Sequence, residues 1–139
     1  MNRIHIFGGG TVFHVRPHLA ISAPAYGQTA RWISEWLSDN SSEDWQLHLT
    51  RMAEDGEVSL ETNADIAERL RQVTSHPDTK VIFMSAALCD FEGSVATRRE
   101  HHDEMGTETR WEVMPSGKDQ PRLKSSSGLQ TMQLKPAEK

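Results

Sequence analysis

Arg3-Ile4-His5-Ile6-Phe7-Gly8-Gly9-Gly10-Thr11 is the stretch that decides the fold of this 139-residue chain. Its first five residues alternate and are rich in strand-forming side chains, which predicts a short β-strand. The three glycines end the strand and let the backbone adopt positive φ and come close to a ligand. Backbone amides after a strand can point at phosphate oxygens, and the Thr11 hydroxyl can add a donor. Gly8, Gly9, Gly10 and Thr11 are therefore predicted to bind phosphate, with a plain tight turn as the alternative.

The hydrophobic pattern predicts the order β-α-β-α-β for residues 1–91. A helix begins at Gly27, Trp45–Leu49 alternates as a strand, and Asn63 can cap a second helix. The nearly continuous apolar run Lys80–Ser85 is typical of a central strand that is buried on both sides. This order predicts an α/β core in which helices cover a parallel sheet, and the glycine turn after its first strand indicates nucleotide binding.

Two regions, residues 12–26 and the polar residues 92–109, are predicted to be less regular. Residues 12–26 contain two prolines and are expected to form a long loop, which in a compact domain is usually functional. Residues 92–109 are expected to be a mobile loop or a frayed helix. Residues 92–139 as a whole are then a polar loop plus an antiparallel C-terminal arm of the same domain. Because the arm is poor in apolar residues, it cannot bury much surface alone and is expected to pack on a partner.

The arm is predicted to consist of three short strands, namely Trp111–Met114, Arg122–Lys124 and Leu129–Leu134.

Composition excludes several classes of protein. The formal net charge is −5, from 20 acidic and 15 basic residues, which argues against a nucleic-acid partner held by bulk positive charge. No apolar run is long enough to span a membrane, so no membrane partner is expected. A single cysteine, Cys89, cannot form an intramolecular disulfide, which favours a cytoplasmic location. Cys89 is interpreted more simply as a small buried residue than as a nucleophile.

A second candidate site follows the third predicted strand. Ligands of open α/β sheets bind beyond the carboxyl ends of the strands, where Ala86, Ala87, Leu88, Cys89, Asp90 and Phe91 also lie. Small side chains there let a base or sugar approach the backbone, and the Asp90 carboxylate could accept hydrogen bonds from ribose hydroxyls. The alternative is ordinary packing with a turn aspartate.

Two histidines are candidate metal ligands. His14 and His18 are four residues apart and would share a helical face, but Pro17 between them disfavours a helix. Loop histidines exposed to solvent are the simpler interpretation, and no metal site is predicted.

These motifs together resemble phosphopantothenate–cysteine ligase, the synthetase half of the coenzyme A biosynthesis (DNA/pantothenate metabolism) flavoproteins. That family has Gly-Gly-Thr after its first strand and then a loop ending in Ile-Ser-Asn-x-Ser-Ser-Gly, which match Gly9–Thr11 and Ile21–Gly27 without a gap. The family's Ala-Ala-Val-Ala-Asp-aromatic motif matches Ala86–Phe91. Its basic segment and following strand match Arg122–Ser125 and Leu129–Leu134.

The resemblance implies a Rossmann-like, three-layer α/β fold and a homodimer joined through the antiparallel arm. It also implies a nucleotide, CTP or ATP with Mg²⁺, and a small phosphorylated ligand, with no flavin in this chain. In the family, the nucleotide activates the carboxylate of 4′-phosphopantothenate, and the amine of cysteine then displaces it to form an amide. Carried over by position, Gly9, Gly10 and Thr11 hold phosphates, Ser22 and Gly27 belong to the nucleotide site, and Lys124 is the catalytic cation from the arm.

The departures from the family leave three hypotheses open. The family's asparagine aligns with Ala23, and the last lysine of its basic segment aligns with Ser125. Its acidic loop residue aligns with Arg16, and the family continues with further strands and helices where this sequence stops at Lys139. The chain is thus expected to be a ligase or a fragment of one, a nucleotide-binding relative without ligase chemistry, or an interaction module with a vestigial pocket.

Overall fold

The computed structural model describes residues 4–139, so the predicted start of the first strand at Arg3 lies outside the described residues. The chain forms two compact units. The first comprises residues up to 12, residues 22–90 and residues 138–139, and the second comprises residues 13–21 and 91–137.

The elements follow one another in chain order as β1 (Ile4–Gly8), β2 (Val12–Arg16), β3 (Leu19–Ser22), α1 (Gln28–Asn40), β4 (Trp45–Leu49), α2 (Asn63–Thr74), β5 (Val81–Met84), β6 (Phe91–Asp103), β7 (Gly106–Val113), a 3₁₀ turn (Ser125–Ser127) and β8 (Thr131–Pro136).

The first unit is built on a parallel sheet in the order β4-β1-β5. Ile4 lies opposite Trp45 on one side and opposite Val81 on the other. All five residues of β1 are buried, because this strand has neighbours at both edges and helices over both faces. The predicted Rossmann-like α/β fold is confirmed.

The two helices cover opposite faces of β1. Ile4 and Ile6 pack with Ala30 and Leu37 of α1. Phe7, which alternates to the other face, packs in a second cluster that includes Ile66 of α2. Successive side chains of a strand point to opposite faces, so this division follows from the alternation of β1 itself.

The interpretation of Lys80–Ser85 as a central, doubly buried strand is wrong. β5 is an edge strand of the three-stranded sheet, and three of its four residues, Val81, Phe83 and Met84, are exposed by 39–45%. A continuous apolar run fits a central strand, but it does not reveal how many neighbours the strand has.

The prediction of one long loop over residues 12–26 is also wrong in its first part. β2 and β3 form a two-stranded sheet, with Pro17 in the tight turn between them. A proline in a turn removes no ladder hydrogen bond, so its presence did not exclude the hairpin.

The second unit contains an antiparallel sheet in the order β7-β6-β8. β6 and β7 form a long hairpin, so the prediction of a mobile loop or frayed helix over residues 92–109 is wrong. Gly106, at φ 129°, follows the turn, and Arg99 pairs with Glu112 at 2.9 Å between Nε and Oε2. Arg122–Lys124 is not a strand, and Leu129–Leu134 becomes β8, shifted two residues towards the C-terminus.

Candidate functional site

The glycine turn after β1 is held by close backbone approaches. Gly9 has φ 93°, a conformation that residues with a Cβ rarely adopt. A Cβ on Gly10 would lie 1.9 Å from the carbonyl oxygen of Ala23, and one on Gly9 would lie 2.1 Å from Oγ1 of Thr50. The glycines are therefore required by the protein's own packing, whether or not a ligand is bound.

Three hydrogen-bond donors at this turn have no acceptor within the described residues. The backbone amides of Gly9 and Gly10 make no hydrogen bond within residues 4–139. The hydroxyl of Thr50, which directly follows β4, is fully buried beside Gly9 and also lacks a partner there. Because an unsatisfied buried donor costs about 1–3 kcal/mol, such a cluster is expected to receive an acceptor from outside the chain.

The start of α1 lies beside the same turn. Its N-cap, Gly27, has φ 82° and provides no side-chain hydrogen bond, and the first turn of the helix has no acidic residue. A Cβ on Gly27 would lie 3.7 Å from the amide nitrogen of Gly9. The amides of the first helical turn and the positive end of the helix dipole are therefore available close to the glycine turn.

This arrangement suits an anion with several oxygens. Backbone amides from a glycine turn and a helix N-terminus bind phosphate in many α/β proteins, because all of these donors converge on one point. The Thr50 hydroxyl would add one neutral donor. The sequence interpretation missed Thr50, although its place at the carboxyl end of the neighbouring parallel strand was a usable signal.

The Thr11 side chain forms its hydrogen bonds within the protein. Its buried hydroxyl donates to Oδ1 of Asn63 at 2.6 Å and accepts from the amide of Cys89 at 2.8 Å. The Asn63 side-chain amide also donates to the carbonyl of Cys89 at 2.9 Å. These bonds tie the ends of β1 and β5 to α2, so the one hydroxyl proton of Thr11 already has an acceptor.

Asn63 is not the cap that the sequence predicted. The N-cap of α2 is Thr62, whose hydroxyl accepts from the amide of Asp65, while the Asp65 carboxylate accepts from the Thr62 amide at 2.8 Å. Asn63 is the first residue of the helix, and this frees its side chain to join Thr11 and Cys89. Its contribution to the site was therefore missed.

The loop after β5 brings its small residues next to the glycine turn. Ala87 forms a parallel bridge with Gly10, donating its amide to the Gly9 carbonyl at 2.9 Å and accepting from the Thr11 amide at 3.0 Å. Cys89 is buried, and its Sγ lies 3.2 Å from the Thr11 carbonyl. Ala86 and Leu88 are half-buried.

The remaining predicted site residues are exposed. The Asp90 carboxylate accepts from the Lys139 ammonium within the first unit. Ser22 ends β3, and the next residue, Ala23, donates its amide to the Thr11 carbonyl at 3.0 Å. Phe91 and Lys124 belong to the second unit, where Phe91 begins β6 and Lys124 precedes the 3₁₀ turn.

A buried polar network lies on the α2 face of the sheet. Nδ1 of His5 is 3.0 Å from Nε2 of His48, and a guanidinium nitrogen of Arg69 is 2.9 Å from Nδ1 of His48. Because arginine can only donate, His48 is neutral and donates from Nε2 to His5. Burial is the main reason that the pKa of His48 is lowered to about 4, and the charge of Arg69 lowers it further. The sequence interpretation did not identify this network.

No group of three or more His, Cys, Asp or Glu within residues 4–139 is arranged to hold a metal ion. His18, one of the two histidines considered as ligands, lies 3.0 Å through Nε2 from the carbonyl of Leu123. No helix in the described part of the chain is both long and apolar enough to cross a membrane.

Comparisons with known proteins give a likeness in structure and no match in sequence. No family model matches the chain, and no curated protein matches its sequence. Its structure is similar to that of the DNA/pantothenate metabolism flavoprotein from Streptococcus pneumoniae, with a TM-score of 0.63 and 18% sequence identity. The likeness covers the whole of this chain and 62% of that chain. The similarity supports the α/β fold, and this chain spans less than two thirds of the protein that it matches.

Proposed function

We propose that this protein binds a nucleoside triphosphate, CTP or ATP, as a relative of phosphopantothenate–cysteine ligase. The observation that carries the proposal is the fully buried hydroxyl of Thr50 beside the amides of Gly9 and Gly10, none of which has a hydrogen-bond partner within residues 4–139. These donors and the uncapped start of α1 suit phosphate oxygens, which accept several hydrogen bonds at once.

The loop after β5 supports the other end of the nucleotide in this proposal. The backbone of Ala86–Cys89 follows the neighbouring strand and would meet the base, and the Asp90 carboxylate would accept from the ribose hydroxyls in exchange for Lys139. The first turn of α1 has no acidic residue that could bind Mg²⁺. Mg²⁺ would therefore enter bound to the phosphates. Nucleotide binding without further chemistry explains all of these features.

The ligase reaction is a second candidate function. The fold shared with a pantothenate-metabolism flavoprotein favours it, and 4′-phosphopantothenate and cysteine would be the substrates. Position 23 lies against the glycine turn, because a Cβ on Gly10 would meet its carbonyl oxygen. Alanine at this position offers no side-chain donor to a reacting acyl group, which disfavours amide formation.

The binding proposal is tested by calorimetry and thermal unfolding with CTP and ATP in the presence of Mg²⁺. A nucleotide at a concentration of 100 times its Kd would stabilise the folded state by about 2.7 kcal/mol. Thr50→Val removes the orphaned hydroxyl at constant shape, so we expect about tenfold weaker binding with unchanged or higher stability. If neither nucleotide binds the wild-type protein, the proposal is wrong.

Thr79→Val is the matched control for Thr50→Val. The Thr79 hydroxyl donates to the Val73 carbonyl at 2.7 Å on the α2 side, far along the chain from the glycine turn. Its removal should lower stability and leave nucleotide affinity unchanged. Equal losses of affinity in the two variants would show that Thr50 does not contact the ligand.

The ligase candidate needs a separate assay. The protein is incubated with CTP or ATP, 4′-phosphopantothenate and cysteine, and pyrophosphate is measured beside an active ligase. Release of more than one pyrophosphate per protein, dependent on the nucleotide, 4′-phosphopantothenate and cysteine, would establish catalysis, because cysteine must release the nucleoside monophosphate before the next turnover. Release that is absent in the wild type and appears in Ala23→Asn would attribute the loss to position 23.

The antiparallel arm is proposed as the contact of a homodimer. Trp111 and Val113 lie on one face of the β6–β7 hairpin and are 47% and 53% exposed. Sedimentation equilibrium should show a dimer for the wild type and a monomer for Val113→Lys. A monomeric wild type would exclude this contact.

A further inference from the structure

The outer surface of α1 carries two exposed indoles. Trp32 and Trp36 are 61% and 62% exposed, although the helix buries Ala30 and Leu37 on its other side. Tryptophan is large and apolar, and two such side chains one turn apart form an unusual surface for a soluble helix. Tryptophan is also among the residues that contribute most to protein interfaces.

A carboxylate accompanies each indole. The sequence Trp32-Ile33-Ser34-Glu35 is followed directly by Trp36-Leu37-Ser38-Asp39, so the same four-residue pattern occurs twice. Residues three and four apart are neighbours on a helix surface, so each tryptophan has an acidic residue beside it. Glu35 and Asp39 are exposed and form no ion pair within residues 4–139.

The cation nearest in sequence does not neutralise this surface. The guanidinium of Arg31 donates to the backbone carbonyl of Glu54. The solvent face of α1 therefore combines two aromatic faces with two unpaired negative charges.

We infer that the Trp32–Asp39 face of α1 binds a basic helix of a partner protein, with two arginines four residues apart seated on the two tryptophans. A guanidinium stacks on an indole through a cation–π interaction and reaches a neighbouring carboxylate with its free edge. Successive turns of any α-helix have the same spacing, so a helix lying along α1 would bring one arginine to each tryptophan–carboxylate pair.

Charge complementarity distinguishes this partner from other occupants. A nucleic acid or an anionic membrane would place negative charge against Glu35 and Asp39. A second copy of this face would oppose carboxylates to carboxylates. A cationic helix satisfies both the indoles and the carboxylates.

The probe is a capped, alanine-rich helical peptide with two arginines four residues apart. A second peptide of the same composition has the arginines two residues apart, on different faces of the helix. Two-dimensional NMR follows the four indole N–H signals, which are assigned with single Trp→Phe variants. We expect the first peptide to shift the Trp32 and Trp36 signals to saturation and the second to bind about tenfold more weakly.

Trp111 is the internal control, because it lies in the other unit, on the arm proposed as the homodimer contact. Its signal should not respond. The double variant Glu35→Gln/Asp39→Asn keeps the indoles and removes the charges, so it should bind the first peptide about tenfold more weakly than the wild type. Added salt should weaken wild-type binding in the same direction.

Three results would overturn the inference. These are equal affinity for the two peptides, an unchanged affinity of the double variant, and a Trp111 shift as large as that of Trp32. Neutral and anionic vesicles serve as a further arm. Loss of the Trp32 and Trp36 signals with vesicles, without any response to the peptide, would identify a membrane-binding face instead.

Discussion

The two helices of the first unit begin in opposite ways. At α2, Thr62 and Asp65 form a reciprocal capping box, and the Asp65 carboxylate also accepts from the Glu61 amide at 3.0 Å. At α1, Gly27 provides no side-chain acceptor. This chain closes the N-terminus of α2 with its own side chains, whereas Gly27 gives the N-terminus of α1 no side-chain cap.

The two faces of the sheet differ in the same sense. The α1 face is apolar around Ile4 and Ile6, whereas the α2 face encloses the His5–His48–Arg69 network. On the α2 side, polar groups are satisfied within the chain. On the α1 side, the donors that lack an acceptor within the described residues lie at the glycine turn.

The largest effect is expected at the glycine turn. Gly10→Ala would place a Cβ 1.9 Å from the Ala23 carbonyl oxygen, which belongs to the backbone and cannot rotate away. We expect a loss of about 3 kcal/mol or more in the free energy of unfolding, measured by urea denaturation. Gly106→Ala is the control, since Gly106 has φ 129° with open space around it, and conformational strain alone should cost about 1–2 kcal/mol. Equal losses would show that close approach does not matter.

The second largest effect is expected from acid, which should lower the stability of the folded protein through the α2 side. The pKa of His48 is about 4 in the folded protein, against 6.5 in the unfolded chain. The unfolded state therefore binds the proton more readily, so stability should fall as the pH drops from about 6.5 to 4, by up to about 3 kcal/mol. Denaturation curves of the wild type and His48→Gln at pH 7 and pH 4 measure this loss of stability. Identical pH dependence in both proteins would contradict it.

The capping box should have a smaller effect. Thr62→Ala removes the acceptor of the Asp65 amide and should cost about 1 kcal/mol. Thr29→Ala is the matched change in the first turn of α1, where the hydroxyl makes no hydrogen bond within the described residues, and it should change stability by less than about 0.5 kcal/mol. Similar losses at the two positions would remove the distinction between the helices.

The smallest effect on stability is informative because of its sign. Thr29→Glu places a negative charge at the open N-terminus of α1, which should stabilise the folded protein by about 0.3–1 kcal/mol. The same charge should repel phosphate and weaken nucleotide binding. Ser38→Glu, near the other end of α1, is the control and should leave nucleotide affinity unchanged. Tighter nucleotide binding by Thr29→Glu would place the phosphates elsewhere.

Local patterns predicted the parallel core well. β4 has the predicted limits, and β1 ends one residue after the predicted Phe7. Both strands carry apolar side chains whose alternation is visible within five residues. The hairpin β6–β7 was missed because its strands are polar, and the hairpin β2–β3 was missed because Pro17 and Pro24 favoured a loop.

The sequence predicted which segments meet at the candidate site, but it did not predict which hydroxyl lacks a partner there. The glycine turn and Ala87 do meet, as expected of residues that follow neighbouring parallel strands. Thr11 was expected to offer its hydroxyl, yet Asn63 and Cys89 occupy it. Thr50 carries the free hydroxyl instead.

The sequence by itself determined the order of strands and helices in the parallel core, and hence the α/β class, because hydrophobic periodicity is a property of adjacent residues. Only the tertiary structure decided that β1 is the central strand and β5 an edge. It alone decided which hydroxyl is satisfied, because a hydrogen bond depends on a partner from a distant part of the chain. Thr11 and Asn63 are 52 residues apart, and no local pattern relates them.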